Sequence, residues 1–145
     1  MKKEFVPYEL ALELRRLGFD EPCFAYYSSD GDYILGIDEV RFDTISTYDQ
    51  NSNLGEDSNA CTTPLFQQAF RWLREKYDIH YSIDRECSQH DYKWGYNWSL
   101  YNYTGIFDEY LTSHPDAPAG EWVYETHEEA ELACLRKLIE IVKEK

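Results

Sequence analysis

Residues 92–103 read YKWGYNWSLYNY, and the order of the aromatics decides how this part of the chain folds. Tyr92, Trp94, Tyr96, Trp98 and Leu100 fall on every second position, with Lys93, Gly95, Asn97 and Ser99 in the gaps. Successive side chains of a strand point to opposite faces, so the pattern predicts a β-strand with one aromatic and one polar wall. Tyr101 and Tyr103 break the phase, which places a bulge or strand end near residue 100. The polar alternation implies that helices cover the aromatic wall.

Upstream, IHYSI (79–83) alternates Ile79, Tyr81 and Ile83 against His80 and Ser82, a strand of about five residues. The RECSQHD connection is too short for a parallel crossover, so the two strands are expected to form an antiparallel hairpin. Before them, Phe66, Ala69, Phe70, Leu73 and Tyr77 make the apolar stripe of a helix, with Pro64 suited to its first position. Near the start, Val6, Leu10, Leu14 and Leu17 share a face of a helix over 7–17. Gly18 supplies its left-handed cap, and Pro22 prevents continuation.

CFAYY, SSDGD and YILGI read as a hairpin around an Asp-Gly turn, with strands near 23–28 and 32–37. Residues 38–48 are ambiguous between a strand and irregular chain. Residues 49–62 and 104–120 are rich in Asn, Asp, Ser, Gly and Pro and read as loops, with a further short strand at EWVYE. The last helix is signalled by the capping box of Thr126 and Glu129, acids in its first turn and lysines toward its end. The order α-β-β-α-β-β-β-α predicts a two-layer α+β domain, 1–145, with a mainly antiparallel sheet packed against three helices.

The chain has 145 residues, 17% aromatic, and a formal net charge of -14. Mean hydropathy is -0.66, and no apolar run approaches the length of a membrane span. Counting Lys and Arg against Asp and Glu gives -8 for residues 1–60, zero for 61–100 and -6 for 101–145, which sum to -14. An acidic chain repels phosphate, which disfavours direct nucleic-acid binding and admits a basic protein as partner. The N-terminus lacks an uninterrupted apolar stretch, so no secretory signal is read and a cytoplasmic location is expected. Cys23, Cys61, Cys87 and Cys134 lie far apart without a C-x-x-C, as expected of free thiols.

Motifs that carry chemistry are incomplete. Asp49, Asn51 and Asn53 match the first ligand positions of a calcium loop. Leu54 stands where glycine is required, and Ala60 where the bidentate glutamate belongs. Cys87 and His90 make half of a zinc site without a matching half. His127 and Glu131 fall four apart, but HEEAE is not H-E-x-x-H. There is no nucleophile elbow, and acid pairs such as Asp30 with Asp32 follow from composition in a chain with 28 acids. No catalytic residue, metal or cofactor is assigned. If aromatics bind a ligand or partner, Tyr101, Tyr103, Phe107 and Tyr110 are the candidates, because they leave the strand's phase.

YELALELRRLGFDEPCFAYY (8–27), TPLFQQAFRWLREKY (63–77) and THEEAELACLRKLIEIVK (126–143) resemble a family of short uncharacterised acidic proteins from bacterial genomes and their phages or mobile elements. That resemblance implies an accessory protein of a mobile element and carries no activity or site residue with it. The expected function is a non-enzymatic accessory or protein-interaction module. The alternatives are an acidic decoy for a basic DNA-binding protein and a small-molecule or sugar binder that uses exposed aromatics.

Overall fold

The computed structural model describes residues 2–35, 50–55, 59–103, 108–113 and 122–145, the side chains of 103 and 108–113 excepted. The fold is α+β with antiparallel pairing, and its helices and strands follow the expected order. Among the described residues the strands form two three-stranded sheets, and the chain groups into two compact units, residues 1–72 and 73–145.

In the first unit, α1 spans Tyr8–Arg16. Gly18 (φ 90°) and Phe19 return their amides to the carbonyls of Arg15 and Leu14, both at 2.9 Å. The left-handed residue and this pair of reverse bonds stop the helix where the sequence says it stops. β1 (Ala25–Tyr27) pairs with β2 (Tyr33–Leu35). Their turn is closed by the Gly31 amide on the Ser28 carbonyl, and Gly31 at φ 84° adopts a backbone that side chains disfavour. The expected extension to residue 37, and residues 38–48, lie outside the described residues.

The loop expected over 49–62 is corrected. Its end, Cys61–Thr63, is β3, fully buried and paired with the other edge of β1. Asn51–Leu54 form a single 3-10 turn. Polar composition hid both, because buried side-chain hydrogen bonds replace the missing apolar contacts. Asn51 is itself buried; its amide donates to the Phe19 carbonyl at 2.6 Å and its oxygen accepts from the Thr62 amide at 2.9 Å. Arg15 donates to the Ala60 and Gly55 carbonyls. The Ser52 amide bonds the Asp20 carboxylate at 2.7 Å.

α2 spans Phe66–Tyr77, two residues later than Pro64 suggested. The Pro64 carbonyl instead accepts the Val6 amide at 2.9 Å, and Leu65 bridges Phe5, which keeps both residues extended. At the far end Asp78 takes φ 55° and starts the turn into β4.

In the second unit, β4 (Ile79–Cys87) and β5 (Trp94–Tyr103) form the expected antiparallel hairpin, with Ile83 opposite Trp98 and Cys87 opposite Trp94. β4 is longer than its alternation implied, because Asp84–Cys87 continue the ladder. The bulge falls between Leu100 and Tyr101, where the phase breaks. β6 (Asp108–Ser113) pairs with the C-terminal half of β5, inside the segment read as the 104–120 loop. EWVYE contributes one bridge, Tyr96 to Tyr124, rather than a strand. α3 (His127–Glu144) carries the full capping box and lies against β4 and β5, burying Ala130, Cys134, Leu135 and Leu138.

Asn51→Ala would leave a buried carbonyl and a buried amide without partners. Chemical denaturation should show a loss of about 2–3 kcal/mol, and a change within experimental error would contradict the role of the side chain.

Candidate functional site at the hairpin tip

The aromatic wall of β5 is covered at one end only. Leu100 is 0% and Trp98 3% exposed, whereas Trp94 is 55% and Tyr92 80% exposed. The expectation that helices hide the whole wall is therefore corrected. α3 begins at His127, whose ring meets Tyr96 edge-on at 5.7 Å. Trp94 and Tyr92 lie farther toward the tip, past that end of the helix. Trp94 is met instead by the Arg85 guanidinium, 4.8 Å from its ring, a cation–π contact.

The polar wall is also covered near the tip, by a segment that sequence reading took for a strand. Trp122 packs on Gly95 so closely that a Cβ there would sit 1.9 Å from the indole. The Trp122 Nε1–H donates to the Lys93 carbonyl at 3.0 Å. Asn97, buried, accepts from the Val123 amide at 2.9 Å and donates to Glu86 Oε2 at 2.8 Å. Tyr96 and Tyr124 exchange both backbone bonds, and the Tyr124 hydroxyl accepts from Trp98 Nε1 at 3.2 Å. By strand alternation, Trp122 and Trp94 stand on opposite faces of the hairpin.

On the Trp122 side, Ser88, His90, Asp91 and Trp122 line an open groove of about 300 Å3. The turn is built by Ser88 Oγ, which accepts the His90 amide at 3.2 Å, and by Tyr92 at φ 58°. Asp91 Oδ1 accepts the Lys93 amide at 3.2 Å, and its Oδ2 lies 3.4 Å from Lys93 Nζ. A hydrogen bond from Ser88, followed by the Lys93 amide, holds the Asp91 carboxyl below the usual range. It is therefore ionised at neutral pH.

Of the aromatics singled out from sequence, Tyr101 has its side chain among the described residues. Tyr101 is half-buried in β5, its hydroxyl 3.5 Å from Ser82 Oγ, and it faces Tyr110 in register. The side chains of Tyr103 and Tyr110 and the whole of Phe107 lie outside the described part. Asn51, a candidate calcium ligand, spends its amide on backbone groups. Cys87 and His90 gain no further ligands: among the described residues, no three His, Cys, Asp or Glu converge to hold a metal ion. The groove residues were missed because Trp122 is separated from the hairpin by a whole strand and its flanking segments. A glycine in a run of aromatics was the available signal for a ring packed on the backbone.

The remaining chemistry is sparse. All four cysteines are free. Burial pushes the thiols of Cys23 and Cys134 up to about 12 and that of Cys61 to about 11. Several acids are committed to internal partners. Glu21 pairs with Arg71 at 2.6 Å, Glu140 with Lys137 at 2.8 Å, and Glu129 caps α3. No helix among the described residues is long and apolar enough to cross a membrane. No protein-family model, curated protein or solved structure matches the chain.

Two tests follow from this geometry. Gly95→Ala should force the indole off β5 and lower stability by about 1–3 kcal/mol, visible as a shifted denaturation midpoint; an unshifted midpoint would refute the contact. In thiol titration of the native protein, Cys87 should react at neutral pH, while Cys23, Cys61 and Cys134 should wait for denaturant because their thiolates are disfavoured. Rapid modification of any of those three would contradict their burial.

Proposed function

We propose that this protein is a non-enzymatic binding module whose working surface is the tip of the β4–β5 hairpin. The observation that carries this reading is the exposure of Tyr92 and Trp94 beside a groove walled by Trp122. Exposed rings with polar tips lower the cost of ordering a contact surface, since each brings large area on few rotatable bonds. The surface also lies in the charge-neutral third of the sequence, so rings rather than net charge set its selectivity. Raised thiol pKa values leave three cysteines unsuited to nucleophilic chemistry, which favours binding over catalysis. The four free thiols favour a cytoplasmic site of action. The resemblance of the three helix-centred blocks favours an accessory role in a mobile element.

A basic protein partner is the second reading, supported by the net charge of -14.

Affinity capture from bacterial extract, with the native protein and with Tyr92→Ala/Trp94→Ala, separates the two. Under the hairpin reading, the double variant keeps its fold and loses the captured species across a salt series. Capture retained by the double variant and abolished by salt would favour the basic partner and overturn the hairpin surface.

A further inference from the structure

The groove beside Trp122 pairs one fixed aromatic ring with hydrogen-bonding groups of both polarities. Its indole is held from behind by Gly95 and at its edge by the Lys93 carbonyl. A ring already fixed in place loses little rotamer freedom when a ligand stacks on it. At about 300 Å3 the space lies at the small end of ligand pockets, enough for one ring.

Charge narrows the class further. An anion would meet the ionised Asp91 carboxylate in the groove wall. A cation would compete with Lys93 Nζ, 3.4 Å from the same carboxylate. A neutral ring bearing hydroxyls meets neither obstacle. Its C–H face suits the indole, and its hydroxyls can donate to the Asp91 carboxylate that lines the groove.

We infer that the groove of Trp122, Asp91, His90 and Ser88 binds a neutral pyranose ring, stacked on Trp122 and held through its hydroxyls by the Asp91 carboxylate. The inference rests on the hairpin tip being the binding surface, and it names the ligand class for one side of it.

Methyl glycosides of glucose, galactose, mannose and N-acetylglucosamine, titrated into the full chain, test it by tryptophan fluorescence and saturation-transfer NMR. At least one should bind saturably at millimolar concentration. Asp91→Asn and Trp122→Ala should each weaken that binding about tenfold or more, as loss of an anchoring contact does. Trp122→Ala also removes packing from β5, so Asp91→Asn, checked for an unchanged thermal midpoint, carries the decision. Absence of binding by every glycoside, or full affinity in Asp91→Asn, would overturn the proposal. Tetramethylammonium and acetate are run alongside. Binding of either in place of the glycosides would overturn the sugar class yet leave the hairpin surface standing, which the Tyr92/Trp94 capture comparison decides independently.

Discussion

A central strand must satisfy backbone donors and acceptors on both of its edges, and β5 meets that demand with three different partners. β4 runs along one edge for its first nine residues, from Trp94 to Asn102. On the other edge β6 reaches only from Tyr103 back to Ser99. Tyr96 would be left open there, and Tyr124 closes it with a reciprocal pair of bonds. An unpaired backbone group in a half-buried sheet costs about as much as a lost hydrogen bond. This one bridge therefore fixes where residues 122–126 run and, with them, where α3 begins.

The start of α3 in turn divides the aromatic wall. Thr126 caps the helix, so His127 is its first residue and touches Tyr96. The Trp98 ring and the Leu100 side chain are buried there and become core. Rings at Trp94 and Tyr92 extend past the helix and stay in water. One alternating pattern thus serves two purposes along its length, packing at the base and an exposed surface at the tip. The same path of the chain lays Trp122 across Gly95 and raises the wall of the groove. A side chain at position 95 would occupy the place of the indole.

In the first unit a single polar side chain does comparable work. Asn51 bonds the Phe19 carbonyl, just past the end of α1, and the Thr62 amide in β3. Arg15 reaches from the last turn of α1 to two further carbonyls, at Gly55 and Ala60. At residues 50–55, 59 and 60 the segment between β2 and β3 is thereby anchored by specific hydrogen bonds. A search for hydrophobic periodicity has little to detect over the polar run 49–60.

The elements legible in the sequence were those with a local cause. Gly18 and Pro22 end α1, Thr126 with Glu129 starts α3, and the two-residue alternation marks β5 with its bulge after Leu100. Each follows from sterics or hydrogen bonds among residues a few positions apart. β3 and β6 were hidden because their pairing comes from strands elsewhere in the chain, while their own composition resembles loop. The site was hidden for the same reason. Alternation says that Trp94 and Trp98 share a face, but where the covering helix starts is set by a bridge 28 residues away in sequence, from Tyr96 to Tyr124. Local order determined which side chains point together; only tertiary pairing decided which of them water can reach.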